Sequence, residues 1–188
     1  MNLPENMWRS KVQFVSELVR PVVERFLQNI DLHVTHGHGL LVSGAPGIGK
    51  TGVAALVAKE ARCRGYSAFF ITVWDLREAV RSRIEFDEDM SVLERCREVD
   101  VLVLDGLRSD DAKDPFFGAR AIEELVAGRG VRKKMTVVTT QMGKNLLWQE
   151  FRSFMNSTRG TLAVFVMDGP DLRQNQEKAL ESVVLGRG

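Results

Sequence analysis

Five short apolar runs punctuate the chain, and none alternates with polar residues: about 39–44, 68–73, 99–105, 135–140 and 161–166. Continuous runs of this length predict strands buried on both faces, as in a parallel sheet covered by helices. Between them the apolar residues recur at helical spacing. Val53, Leu56, Val57 and Ala61 follow the first run, with Gly65 as a helix C-cap. Asp75 with Glu78 marks a helix start ahead of Leu76, Ala79, Val80 and Ile84, and a short helix is expected around Met90–Arg97. Asp114-Pro115 signals a helix carrying Ile122, Leu125 and Val126, and a later one carries Leu147, Phe151 and Phe154. Ahead of the first strand, Val12, Val15, Leu18 and Val19 predict one helical piece. Pro21 opens a second with Val22, Val23, Phe26, Leu27 and Ile30. Segment 172–184 also reads as helical. Strands alternating with helices predict one α/β domain of three layers around a five-stranded parallel sheet.

Composition narrows the class without changing it. At 188 residues the chain fills one well-packed domain, divided here into a helical segment 1–38, a core 39–173 and a helical tail 174–188. A formal net charge of +1 argues against a uniformly basic surface for nucleic acid, although Arg129, Arg132, Lys133 and Lys134 form a local cluster suited to single-stranded DNA. Cys63 and Cys96 make neither a disulfide framework nor a metal spacing, which suits a reducing cytoplasm. No apolar run approaches the ~20 residues that span a bilayer, and the start of the chain has no signal-peptide core. His33, His36 and His38 lack a completing ligand set and are expected in a loop.

The chemistry concentrates after the first strand. Gly44-Ala-Pro-Gly-Ile-Gly-Lys-Thr51 fits the phosphate-loop pattern GxxxxGK[ST] at every fixed position. Its backbone, Gly44, Ala45, Pro46, Gly47, Ile48 and Gly49 included, can curl its N–H groups around phosphate oxygens at a helix N-terminus. Lys50 reaches the β- and γ-phosphates, and the Thr51 hydroxyl is a ligand for Mg²⁺. Asp105 ends an apolar strand, where a carboxylate can hold the same metal. Gln141 ends the next strand, in reach of an attacking water. Arg152 and Arg159 flank the following helix, where an arginine can serve a neighbouring subunit's γ-phosphate; each reads equally well as a solvated surface side chain.

These runs resemble the AAA+ ATPases of the bacterial helicase-loader type (DnaC and DnaI) and the related IstB-type transposition helpers. The resemblance rests on Gly39–Thr51, Ile71-Thr-Val-Trp-Asp-Leu-Arg-Glu-Ala-Val80, Val101-Leu-Val-Leu-Asp-Gly-Leu107, Thr136-Val-Val-Thr-Thr140 and Asp171-Leu-Arg173. It implies a five-stranded AAA+ core, binding of ATP with Mg²⁺, self-association when ATP is bound, and a replicative helicase or transposase as partner. The chain departs from the family's pattern in three places. Gly106 stands where a second acidic residue usually follows Asp105, Gln141 stands where Asn is usual, and no full helical lid follows the last strand. Without a carboxylate at 106, slow hydrolysis is expected, with Asp110 or Asp111 able to fold back in its place. A small-molecule or nucleotide kinase, using Arg77, Arg81 and Arg83, and a catalytically weak regulatory subunit stay open as alternatives.

Overall fold

The computed structural model describes residues 12, 15–86, 91–115, 118–169 and 171–172. Strands β1 (Gly39–Ser43), β2 (Ala68–Thr72), β3 (Val101–Leu107), β4 (Met135–Thr140) and β5 (Leu162–Val166) form one sheet. Every pairing is parallel and the order is β2-β3-β4-β1-β5. The helices are α1 (Arg20–Gln28), α2 (Ile30–His36), α3 (Lys50–Cys63), α4 (Val73–Phe86), α5 (Ser91–Glu98), α6 (Ala119–Val131), α7 (Lys144–Glu150) and α8 (Arg152–Ser157).

The unbroken apolar runs follow from this layering. Successive side chains of a strand point to opposite faces, and here both faces are dry. Leu40, Val42, Phe70, Val101, Val103 and Val137 pack with α1, α2 and α3. Leu41, Phe69, Leu102, Leu104 and Val138 pack with α4 to α8. Strand β5 is the exception. At the sheet edge beside β1, its Val164 and Val166 remain 41% and 60% exposed, so the expectation of a fully covered strand fails there.

Several boundaries fall elsewhere than the local pattern predicts. Residues 15–19 lie outside any helix, and the stripe predicted from Pro21 to Ile30 is divided between α1, with Pro21 in its first turn, and α2; of the piece predicted across Val12–Val19, residues 13 and 14 lie outside the described residues. His33 and His36 therefore sit on a helix and not in a loop; burying Ile30 and Val34 outweighs the modest helix propensity there. The start of α4 is capped one turn earlier than expected. Thr72 Oγ1 donates to Asp75 Oδ2 at 2.6 Å and accepts from Asp75 N at 3.0 Å. Helix α6 begins at Ala119 and not at Pro115, and the Asp114 carboxylate lies 3.6 Å from Arg77 Nε. The helix expected across Leu147, Phe151 and Phe154 breaks at Phe151 into α7 and α8. The predicted tail 174–188 lies outside the described residues.

Candidate functional site

The C-terminal ends of β1, β3 and β4 converge, and their order decides what meets. Strand β4 lies between β1 and β3, so the loop after β1 faces the end of β3 across the last residues of β4. Short bonds hold these ends together: Ser43 Oγ donates to the Met142 carbonyl (2.6 Å), and Thr140 Oγ1 to the Leu107 carbonyl (2.8 Å).

Residues 44–49 form a turn that delivers Lys50 to the start of α3. Lys50 is 8% exposed and folds back over its own loop, its Nζ donating to the carbonyls of Gly44 (2.9 Å) and Ala45 (2.6 Å). Gly47 has φ of +80°, which disfavours an L side chain, and the chain after β5 closes on it. Leu172 N donates to Gly47 O at 3.0 Å, and a Cβ on Gly47 would lie 1.8 Å from Asp171 Oδ1. Asp171 and Leu172 thus lie against the loop, a contact that no local sequence signal announces.

Thr51, one residue into α3, donates from Oγ1 to Asp105 Oδ1 (3.0 Å), with Oδ2 at 3.3 Å. Asp105 lies on a bulge of β3. Leu104 pairs with Val138 and Leu107 with Thr140, so two residues of β3, Asp105 and Gly106, stand opposite the single Thr139 of β4. Gly106 has φ of +82°, in the left-handed region that glycine occupies without strain. Thr139, 2% exposed, donates to Asp105 Oδ1 (2.6 Å) and accepts from Gly106 N (2.9 Å). A lysine among loop carbonyls, a hydroxyl and a carboxylate in contact, and a glycine-rich turn at a helix start form an oxygen-rich set that suits a magnesium nucleotide.

The structure does not bring the other predicted residues into this cluster. Gln141 follows β4 but is exposed, with no hydrogen bond from its side chain among the described residues. Arg152 and Arg159 are exposed on and just after α8, and the Arg159 guanidinium lies 5.5 Å from the Trp148 ring centre. Of the two acids expected to substitute as a base, Asp110 is exposed and Asp111 is occupied. The latter is 3% exposed, accepts from Arg108 N (2.7 Å) and pairs with Arg77 Nη1 (3.4 Å).

The Arg129–Lys134 cluster offers less positive surface than its sequence suggests. Arg129 is 1% exposed and donates to the carbonyls of Cys96 (2.6 Å), Val99 (2.9 Å) and Met135 (2.6 Å) and to Thr136 Oγ1 (3.0 Å). Burial lowers its pKa to about 10, which still leaves it charged at neutral pH. Arg132 pairs with Glu98 (3.0 Å) and Lys134 with Asp100 (2.8 Å). Sequence proximity suggested a shared positive face; the fold buries Arg129 against α5, the following turn and β4, and pairs Arg132 and Lys134 with acids.

Comparison with known proteins bears on the family and the fold. The profile of the family described as IstB-like ATP binding protein matches residues 21–159. A search of curated proteins finds no match. Among solved structures, the DnaC helicase loader is 20% identical with a TM-score of 0.74, over 87% of this chain and 99% of that one. DnaI is 21% identical at 0.71, over 92% and 95%. AMPPCP-bound DnaA from Aquifex aeolicus is 18% identical at 0.62, over 90% of this chain but 52% of that one. At these identities the solved structures establish the shared fold, a parallel α/β core. No helix among the described residues is long and apolar enough to cross a membrane.

Proposed function

The chain belongs to the IstB-like ATP-binding protein family, and we propose that it is an ATP-switched assembly factor of the helicase-loader or transposition-helper kind, binding ATP with Mg²⁺ and hydrolysing it slowly. The observation that carries this reading is Thr51 on Asp105 at the mouth of the phosphate loop, followed by a glycine where a second carboxylate would act.

In this reading Gly44, Ala45, Pro46, Gly47, Ile48 and Gly49 wrap the phosphates, with backbone N–H groups and the start of α3 supplying donors. Lys50 exchanges the carbonyls of Gly44 and Ala45 for phosphate oxygens, a charge-assisted bond in place of a neutral one. Thr51 and Asp105 hold Mg²⁺, which when bound offsets the charge on the phosphate oxygens. Gln141 orients the attacking water from the end of β4. Arg152 or Arg159, both exposed, serves the site of an adjoining copy.

Gly106 offers no group to polarise water, and Asp111 is committed to Arg77 and Arg108. Absence of a positioned base costs about 10²–10⁴ in rate, whereas binding depends on the loop and Lys50. A long-lived ATP state is what a switch requires. The partners in this reading are a replicative helicase or a transposase, further copies of the chain, and single-stranded DNA. The setting is the cytoplasm.

Calorimetry with a non-hydrolysable ATP analogue and single-turnover hydrolysis test it together. Wild type is expected to bind in the presence of Mg²⁺ and turn over slowly. Lys50→Ala should lose about 10–100-fold in affinity, the worth of one charge-assisted bond. Undiminished binding by that variant, or fast turnover by wild type, would sink the assignment.

A further inference from the structure

Thr139 lies in the Thr136–Thr140 run without an assigned role, yet its side chain meets both residues of the β3 bulge. Its hydroxyl has one proton to give. Because Gly106 N–H already donates to the oxygen (2.9 Å), that proton is directed at Asp105 Oδ1 (2.6 Å). Thr51 donates to the same Oδ1 (3.0 Å) and stands farther from Oδ2 (3.3 Å). One carboxylate oxygen thus takes both shorter bonds, leaving Oδ2 with the larger share of its acceptor capacity. The bulge sets this up, since placing both Asp105 and Gly106 opposite Thr139 lets one side chain read the carboxylate and the next backbone amide at once.

We infer that Thr139 is a positioning residue for the metal–nucleotide site: it fixes the rotation of the Asp105 carboxylate so that Oδ2 is presented to Mg²⁺ beside Thr51. The inference rests on the ATP-binding reading above and deepens it. Partners that orient a ligating carboxylate typically contribute about 10–100-fold to metal affinity. Nucleotide binding without metal depends on the loop and Lys50 and leaves Thr139 uninvolved.

The test is a Mg²⁺ titration of a fluorescent ATP analogue on the full chain, with an EDTA arm, for wild type, Thr139→Val and Thr139→Ser. Thr139→Val is expected to raise the Mg²⁺ concentration for half-maximal binding by about 10–100-fold. Its affinity in EDTA should stay within about two-fold, and Thr139→Ser should restore the wild-type response. In an Asp105→Asn background, Thr139→Val should add no further loss, because its route of action is gone. Should Thr139→Val fail to fold, Thr139→Ala removes the same hydroxyl with less demand on packing. An unchanged Mg²⁺ response, or equal losses with Mg²⁺ and in EDTA, overturns the positioning role while the nucleotide site stands. Wild type binding no analogue in either arm overturns the nucleotide reading itself, and this inference with it.

Discussion

Gly106 shows how one residue can answer to backbone and chemistry together. A carboxylate there would supply the group that activates water, but the position has φ of +82°, where an L side chain costs roughly 1–2 kcal/mol. No heavy atom lies within 4 Å of where a Cβ would stand, so strain and not crowding is the obstacle. Gly106→Ala is therefore expected to lower stability in urea by about that amount while leaving nucleotide binding intact. A neutral result would mean that the bulge relaxes to accept a side chain. Asp111 makes the complementary point. As a sequence position it is a spare acid near the site; in the fold it is buried against Arg77 and the Arg108 amide.

At the scale of elements, buried arginine and paired acids join the turn before β3 to β4. Arg129 satisfies carbonyls from α5, the following turn and β4. Asp100 accepts from Lys134 Nζ and from Ser67 N and Oγ. Partial burial pushes the Asp100 carboxyl up, but the Lys134 and Ser67 hydrogen bonds outweigh it and hold the pKa down to about 2. The unfolded chain protonates first, near the ordinary value of roughly 3.9. The stabilisation from Asp100 is thus complete above about pH 4 and is lost as the pH falls through 2. Urea unfolding of wild type and Asp100→Asn should show a gap at neutral pH that closes between pH 4 and 2. A gap that persists at pH 2 would place its origin outside the carboxylate's charge.

For the whole molecule, the exposed arginines after β4 acquire a use only if a second copy supplies the site they serve. Among the described residues no hydrogen bond or ion pair ties Arg152 or Arg159 to the phosphate loop. Sedimentation is expected to show larger species with a non-hydrolysable ATP analogue than without it. Arg152→Ala or Arg159→Ala should reduce turnover while leaving analogue binding by the single chain unchanged. If both changes together alter neither assembly nor turnover, neither arginine acts across an interface.

The layered sheet and the phosphate loop were legible in the residues because their causes are local. An apolar run of strand length needs two dry faces, and a glycine-rich turn before a helix is a nearest-neighbour property. Gly44–Thr51 and Asp105 therefore stand out without any knowledge of what surrounds them. The contacts of Thr139 and Asp171 and the bulge at Asp105–Gly106 do not, because they depend on a strand order that sets β4 against β3 and β5 against β1. The fate of Arg129, Arg132 and Lys134 was hidden for the same reason, since Cys96, Val99, Glu98 and Asp100 lie some 30 to 34 positions away in the chain. Local pattern determined which segments bury themselves and where an anion can be held. Only the packing of distant segments decided which charges are cancelled, which acid is occupied and which hydroxyl aims the carboxylate, because hydrogen bonds act over about 3 Å of space whatever the separation along the chain.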